Sequence, residues 1–199
     1  MFAYEHHPAY RLIFAANRDE FYDRPTTPAA FWEDHPELLA GRDLKDGGTW
    51  MGVTRGGRYA ALTNYRDPAE LNAQGPSRGV LVKNYLSSQE SPLGYMGRFA
   101  LSDERFSGFN LLAGDINELY YYSNREKDIR KLSPGLYGLS NHLLDTPWPK
   151  VERGKALMRE VLQQKEILPE NLLDLLTDAN IAPDHDLPET GVGKEWERV

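Results

Sequence analysis

The order of elements along the chain predicts an α+β fold built from antiparallel sheets. Read in order, the 199 residues give strands, two helices, further strands and two further helices. Short polar or glycine-rich turns join most of the strands, and strands joined in this way pair antiparallel. Each helix carries one apolar stripe that has to be buried against another layer. Two sheets packed face to face, with the helices outside them, would bury every stripe.

The N-terminal segment predicts a hairpin followed by a long loop. Phe2–Tyr4 and Tyr10–Ala16 are apolar enough to form strands, and the polar stretch with Pro8 between them suits a turn. The range 25–48 has prolines at positions 25, 28 and 36. Because proline cannot donate to a strand ladder, we expect this range to be a loop.

A second hairpin is predicted around two adjacent glycines. Thr49–Thr54 and Arg58–Asn64 read as strands, and Gly56-Gly57 lies between them. A glycine pair suits a two-residue turn, since both positions tolerate positive φ. This register places Thr49 opposite Asn64 on one face of the sheet.

The remaining elements follow from caps, turns and helical periodicity. Ser77 is expected to cap a helix over Arg78–Leu86, and Ser91-Pro92 starts the next helix. The apolar stripes of these two helices are Leu81, Val82, Tyr85 and Leu86, and then Leu93, Met96, Phe99 and Ala100. Further strands are predicted at Phe109–Gly114, Leu119–Ser123 and Gly135–Ser140, and further helices from Thr146 and over Glu170–Thr177.

Composition excludes several classes of function. A net charge of −7 without a basic cluster argues against a nucleic-acid binder. There is no cysteine, so disulfides and thiolate metal sites are ruled out, and the five histidines lack metal-ligand spacing. No apolar run approaches the roughly 20 residues of a membrane span, and no signal peptide is visible. We therefore expect a cytoplasmic, single-domain protein over 1–199 that binds a small molecule, without metal or cofactor.

Polar side chains stand where three apolar stretches end. Asn17, Arg18 and Asp19 follow the first hairpin, Asn64 ends the second, and Asn141 follows the strand after Gly135. An asparagine amide beside a reacting carbonyl can stabilise an oxyanion. The alternatives are ordinary turn chemistry for each asparagine and a structural ion pair for Arg18 and Asp19.

Three segments carry a resemblance to a known family. "AANRDEFYDRP", "GGTWMGVTRGGRYAALTNYRDP" and "YGLSNHLLDTPWPKVERGK" are similar to the NRDE-motif family, the relatives of transport and Golgi organisation protein 2. The resemblance runs over nearly the whole chain. It implies a four-layer αββα sandwich like that of the N-terminal-nucleophile hydrolases, in which a leading cysteine attacks the substrate and its own α-amine serves as base.

The resemblance also implies roles for particular residues. Arg18 resembles the arginine beside the nucleophile, and Asp19 resembles the acid that orients the α-amine, with Glu20 as the alternative. Asn64 and Asn141 resemble the oxyanion-hole asparagines. Four further residues are expected to bind substrate: Asn17, Trp50, Tyr65 and His142. Core packing is the alternative for the aromatic members of that set.

The chain departs from the family pattern at both ends. Family members begin Met-Cys, whereas residue 2 here is phenylalanine and no Cys, Ser or Thr lies in the first ten positions. If Tyr4 lies near Arg11, extending the first strand backward by about four residues would place its start beside Asn17 and Arg18. A Gly-Thr-Arg segment usual in the family is also absent. These departures predict an incomplete sandwich, truncated at both ends and inactive as a hydrolase.

Three functional hypotheses follow from the resemblance. The first is an amidohydrolase or acyltransferase that acts on a small amide or acyl thioester once the leading cysteine is present. The second is a non-catalytic protein that carries haem, acyl-coenzyme A or a lipid. The third, a structural role in membrane-traffic organisation, has the least support. Restoring a Met-Cys start separates the first two.

Overall fold

The computed structural model describes residues 1–70, 75–101 and 106–198. The strands are β1 (Phe2–Tyr4), β2 (Leu12–Phe14), β3 (Thr26–Phe31), β4 (Leu38–Asp43), β5 (Met51–Thr54), β6 (Tyr59–Asn64), β7 (Phe109–Gly114), β8 (Leu119–Ser123), β9 (Asp128–Lys131) and β10 (Gly135–Tyr137). The helices are α1 (Gly79–Ser87), α2 (Pro92–Ala100), α3 (Pro149–Leu162), α4 (Pro169–Leu176) and α5 (Lys194–Glu197), with a 3-10 turn over Pro68–Glu70.

The chain divides into two compact units. Within the described ranges, the first unit comprises Met1–Asp19, Arg66–Pro68 and Ser133–Val199. The second comprises Glu20–Tyr65 and Ala69–Leu132. Each unit contains one sheet, and every strand pairing that the structure describes is antiparallel. The predicted α+β class with antiparallel sheets is therefore confirmed, while the assignment of 1–199 to a single domain stays a prediction.

The first unit is organised around β1, the central strand of a sheet ordered β10-β1-β2. Tyr4 pairs with Leu12 and Phe2 with Phe14, one residue away from the register in which Tyr4 faces Arg11. Alternation along β1 sends neighbouring side chains to opposite faces. One face packs against α3, and partly buried leucines of α4 pack against the same cluster. The buried members of the cluster are Ala3, Ile13, Ala15, Met158, Val161 and Ile167.

The second unit is a seven-stranded sheet ordered β3 to β9, with α1 and α2 packed on one face. Helix α1 contacts the middle strands, and α2 contacts β8 and β9. The predicted stripe of α1 is buried throughout. Its members are Leu81, Val82, Tyr85 and Leu86. The exposure of these four side chains is at most 4%, so α1 is held mainly by apolar burial.

The loop predicted over 25–48 is wrong, because this range contains β3 and β4. Every residue of β3 is exposed, and the strand lies at the edge of its sheet. The pairing with β4 shifts between Thr27 and Ala30, so Pro28 falls within an irregularity of the ladder. An edge strand with a bulge accepts proline, because no donor is needed there. The prolines therefore indicated an edge position and not the absence of a strand.

The predicted register of the second hairpin is also wrong, by one residue. The Thr54 amide donates to the Arg58 carbonyl, and Met51 pairs with Ala61. The loop has three residues, with Gly57 in the left-handed region at φ +80°. Such loops are the next most common hairpin type after two-residue turns. A slip of one residue reverses faces, so Thr49 is not opposite Asn64.

The ends of the helices differ from the predictions by one or two positions. Arg78, and not Ser77, occupies the N-cap of α1, and it makes no side-chain capping bond. The cap of α2 is confirmed, since the Gly94 amide donates to Ser91 Oγ at 3.1 Å. On that helix Leu93 is exposed, whereas Tyr95 is fully buried. The predicted stripe of α2 is therefore wrong at Leu93 and lacks Tyr95, whereas its member Met96 is fully buried and Phe99 and Ala100 pack against the core.

Four elements in the later part of the chain also differ from the predictions. Helix α3 begins at Pro149 after the N-cap Trp148, and not at Thr146. Strand β10 ends at Tyr137, before the predicted end at Ser140. Strand β9 and helix α5 were not predicted, because β9 is a short charged edge strand and α5 is a single helical turn.

A close backbone approach in the second unit gives the first testable prediction. Gly48→Ala is expected to lower the free energy of unfolding by about 2 kcal/mol through overpacking. An added Cβ would lie 2.5 Å from the Gly79 carbonyl carbon and 2.9 Å from the Val80 nitrogen. These are backbone atoms of the first turn of α1, which give way less readily than the end of a side chain.

Gly97→Ala is the matched control for this prediction. An added Cβ at Gly97 meets nothing within 4 Å, and the residue lies inside α2. Removing a helix-interior glycine should stabilise the protein by about 0.5–1 kcal/mol. Urea unfolding of both variants measures the difference. Equal effects of the two substitutions would contradict the close approach at Gly48.

No helix in the described ranges is long and apolar enough to cross a membrane.

Candidate active site

The end of the first hairpin carries three of the predicted site residues. Met1 and Ala15 exchange both backbone hydrogen bonds, at 2.9 and 3.0 Å, so regular pairing reaches the end of the β1 segment. Beyond this pair, Asn17 is exposed, and its Nδ2 donates to the Leu176 carbonyl at the end of α4 at 3.0 Å. Arg18 is half-buried and Asp19 is exposed.

An aromatic ladder supports this hairpin on the face opposite α3 and α4. The fully buried ring of Phe2 stacks between Phe14 and Tyr137, with ring centroids 5.8 and 5.1 Å away. Directly opposed aromatic pairs of this kind stabilise neighbouring strands beyond their buried area. The ladder joins all three strands of the sheet and makes the hairpin a rigid support for the residues that follow it.

The loop that carries Asn141 is clamped at both ends. Asp145 Oδ1 accepts from the Gly138 amide at 2.8 Å, and the Asp145 amide donates back to the Gly138 carbonyl at 2.8 Å. Lys155 of α3 donates to the same carboxylate oxygen at 2.7 Å. Within the loop, Ser140 Oγ donates to Asn141 Oδ1 at 3.4 Å. This contact uses the oxygen end of the Asn141 amide, whereas an oxyanion would need its nitrogen end.

His142 is held in place by contacts with Thr146 and Trp148. Thr146 Oγ1 donates to the Leu143 carbonyl at 2.8 Å and lies 2.8 Å from His142 Nδ1. The ring also packs against Trp148, with centroids 5.4 Å apart, and the indole is 8% exposed.

Arg66 connects this loop to other parts of the first unit. Its backbone amide donates to the Asn141 carbonyl at 2.6 Å. Its guanidinium lies 5.7 Å from the centroid of the Trp148 ring and donates from Nη1 to Glu197 Oε2 at 2.8 Å. Burial alone would raise the pKa of Glu197, but bonds from Thr190 and Arg66 outweigh it, so the pKa is lowered. Glu197 is therefore ionised at neutral pH.

Lys150 adds a second cation to the same indole. Its ammonium lies 5.7 Å from the Trp148 ring centroid. Its pKa is lowered, first by partial removal from water and then by the charge of Arg66, although Asp19 and Glu197 act in the opposite direction. Asp19 thus acts electrostatically on Lys150, which lies near the same Trp148 ring as Arg66. Arg66 in turn binds the Asn141 carbonyl through its backbone amide.

The second unit carries the other predicted site residues. Asn64 is the exposed last residue of β6 and pairs with Phe109, and the next amide, Tyr65, donates to the Gly108 carbonyl at 2.9 Å. The half-buried Trp50 places its ring where a Cβ on Gly41 would meet it at 3.0 Å. Trp50 therefore packs across a neighbouring strand of its own sheet.

Sequence reasoning brought Asp19, Asn141 and His142 to notice but missed the groups around them. Arg66 lies inside the segment "TNYRDP", and Trp148 and Lys150 lie inside "TPWPK". Both segments belong to the family motifs, so the sequence could have identified these three residues as candidates for the site. No sequence pattern identifies Glu197 as a candidate, because its partner Arg66 lies 131 residues earlier in the chain. In the described ranges, no group of three or more His, Asp or Glu residues is arranged to hold a metal ion.

Comparisons with known sequences give a consistent result. A family model described as Transport and Golgi organisation 2 matches residues 1–199. The human Transport and Golgi organization protein 2 homolog is 45% identical over 174 residues, which cover 83% of this chain and 63% of that protein. The Bos taurus homolog is 42% identical over 203 residues, covering 96% and 73%. The Drosophila melanogaster protein is 30% identical over 202 residues, covering 89% and 70%. The chain thus spans less than two thirds of the human relative's length.

A solved structure shares the fold. It is the Caenorhabditis elegans ortholog of N-acylethanolamine-hydrolyzing acid amidase, with a TM-score of 0.55 and 10% sequence identity. The match covers 89% of this chain and 84% of the other. That enzyme has the N-terminal-nucleophile hydrolase fold, so the predicted fold class is confirmed.

Proposed function

The chain belongs to the Transport and Golgi organisation 2 family, and from this premise we propose that it supplies the site of a cysteine N-terminal-nucleophile hydrolase. The proposed substrate is a small amide or acyl thioester. The proposed nucleophile is a cysteine placed ahead of Met1, and the proposed location is cytoplasmic. A polypeptide that begins at Met1 and presents no leading cysteine is expected to leave such substrates unchanged.

The register of the first hairpin is the observation that carries this proposal. Residues of β1 and β2 pair so that Phe2 faces Phe14, and Met1 and Ala15 exchange hydrogen bonds. If pairing continued, a residue three positions before Met1 would stand opposite Arg18. By alternation it would share the sheet face of Phe2. This places the expected start of the strand slightly nearer than the four residues inferred from sequence.

The proposed chemistry has two half-reactions. The α-amine of the leading cysteine takes the thiol proton, and the thiolate attacks the substrate carbonyl carbon. The tetrahedral oxyanion accepts hydrogen bonds from Asn64 and Asn141, and its collapse breaks the bond to the leaving amine or thiol, which takes the proton from the ammonium. Water then cleaves the acyl-enzyme thioester and restores the thiol. Arg18 positions the reactants, and Asp19 orients the amine.

The distribution of charge and hydrogen bonds in the first unit supports this assignment. Asp19 acts to raise the pKa of Lys150 against the net lowering, and the Lys150 ammonium and the Arg66 guanidinium each lie 5.7 Å from the centroid of the Trp148 ring. The Arg66 backbone amide donates to the Asn141 carbonyl within the same unit. The substrate-binding set of Asn17, Trp50, Tyr65 and His142 remains part of the proposal.

A designed N-terminal extension tests the proposal. A chain beginning Met-Cys-Val-Val before Met1, with the initiator removed, would present its thiol opposite Arg18. We expect this protein to release nitroaniline from a short-chain acyl p-nitroanilide and to accumulate an acyl adduct on the cysteine, visible by mass spectrometry. The chain without the extension should do neither.

A register variant is the matched control. An extension of Met-Cys-Val has the same leading cysteine but places it opposite Asn17, on the other face of the sheet. Equal turnover by the two extensions would show that an N-terminal cysteine alone suffices and would refute the site. Stoichiometric binding of haem or acyl-coenzyme A without turnover would instead favour the carrier role.

A further inference from the structure

A carboxylate remote in sequence is built into the first unit beside the candidate site. Glu197 Oε2 accepts from Arg66 Nη1 at 2.8 Å, and its Oε1 accepts from the Thr190 amide at 2.7 Å and hydroxyl at 2.5 Å. The side chains of Glu197 and Arg66 are only 4% and 14% exposed. Both carboxylate oxygens are thus bound, in a setting from which most water is excluded.

Arg66 transmits this contact to the loop that carries Asn141. Its backbone amide donates to the Asn141 carbonyl at 2.6 Å, while its guanidinium is held by Glu197 and lies over Trp148. Main chain and side chain of Arg66 are therefore tied to different elements of the same unit. The Arg66 side chain therefore joins Glu197 to the backbone segment that binds Asn141.

We infer that Glu197 is a positioning residue, which holds Arg66 and through it the backbone of Asn141. Its catalytic consequence rests on the proposed function, in which the Asn141 amide stabilises the oxyanion. Such groups act only when neighbouring contacts hold them close to the productive geometry. The hydrogen-bonded path from Glu197 to Asn141 exists whether or not the site is catalytic.

A charged partner is required at position 197 by the burial of Arg66. Loss of the carboxylate would leave the largely buried guanidinium without its counter-charge. An unpaired buried charge lowers the free energy of unfolding. The guanidinium would then turn toward water or another acceptor. Glu197→Gln keeps the shape of the side chain and removes the charge, so it tests this step with little change in packing.

Amide hydrogen exchange, resolved by residue with NMR in the full chain, measures the effect. In the Glu197→Gln variant we expect the Arg66 amide to exchange about tenfold faster, because its bond to Asn141 opens more often. The Glu197→Ala variant should show a larger change and Glu197→Asp a smaller one. The Ala3 amide in β1 reports on global opening and should keep its rate.

Glu195→Gln is the matched control. Glu195 lies on the same short helix, its side chain is 90% exposed, and it pairs with Arg198. Exposed ion pairs of this kind contribute little to the free energy of unfolding. Its removal should leave the exchange rate of the Arg66 amide unchanged.

The pKa of Lys150 provides a second measurement. A change in packing alone would not shift this pKa, whereas loss of the Glu197 charge would. Glu197 raises this pKa and Arg66 lowers it. Replacement of Glu197 by glutamine should therefore shift the pKa of Lys150 downward, measured by NMR after reductive methylation with labelled formaldehyde. Glu195→Gln should produce no such shift.

The outcomes separate this inference from the proposed function. Selective acceleration at Arg66 supports the positioning role, even if the cysteine-extended chain proves inactive, in which case only the hydrolase proposal fails. If the extended chain is active, Glu197→Gln should reduce kcat with KM nearly unchanged. Equal acceleration of the Arg66 and Ala3 amides, or no change at Arg66, would overturn the inference.

Discussion

Replacing Phe2 with alanine is expected to lower the free energy of unfolding by about 3–5 kcal/mol. The ring is fully buried in the central strand of its sheet and stacks on Phe14 and Tyr137. Truncation removes the apolar area of the ring and leaves a cavity that two neighbouring rings cannot fill without leaving their own strands. Urea denaturation followed by circular dichroism measures the loss.

Two companion variants make the interpretation specific. Phe2→Leu keeps most of the volume and should cost clearly less, about 1 kcal/mol. Phe21→Ala removes the same ring from a side chain that is 75% exposed, and it should change stability by less than about 0.5 kcal/mol. A comparable loss for Phe2→Ala and Phe21→Ala would show that the ladder does not stabilise the hairpin.

In the cysteine-extended chain, Asn141→Ala is expected to slow acyl-enzyme formation about 100- to 1,000-fold. The proposed role of Asn141 is to donate from Nδ2 to the oxyanion, an interaction stronger in the transition state than with the bound substrate. The loss should therefore appear in kcat, with KM nearly unchanged. Stopped-flow measurement of acylation by the p-nitroanilide provides the rate.

Two controls accompany this experiment. One is the stability of the Asn141→Ala variant, and the other is the substitution of a second asparagine. Asn141 is half-buried on a loop clamped by Asp145, so the alanine variant should unfold at nearly the same urea concentration. Asn117→Ala removes an exposed asparagine from the β7–β8 turn and should leave the rate unchanged. A rise in KM at constant kcat would point to substrate binding and contradict the oxyanion role.

Local patterns predicted much of the framework. The sequence Ser91-Pro92 identified the start of α2, since a hydroxyl cap followed by proline suits the first helical turn. The turn at Asp115 and the strands on either side of it were predicted to the residue. The helical period of four apolar residues identified the buried face of α1. Each of these features depends on neighbours within a few positions.

The candidate site was predictable only in part. The pattern of polar residues at strand ends, with the family resemblance, singled out Asn141 and His142, and the structure surrounds them with Arg66 and Trp148. The joint placement of Arg18, Asp19, Asn64 and Asn141 in one catalytic site remains a prediction. Glu197 could not have been found, because nothing near it in sequence indicates a buried partner.

The sequence by itself determined the α+β class, the hairpins, most helix faces and the identity of the polar residues that end the strands. Tertiary structure alone decided that Pro28 lies in an edge strand, that the glycine hairpin pairs one residue away from the simplest register, and that Glu197 binds Arg66. The physical reason is the range of the interactions involved. Caps, turns and apolar periods act over a few residues, whereas strand register and buried ion pairs depend on which distant segments the whole fold brings into contact.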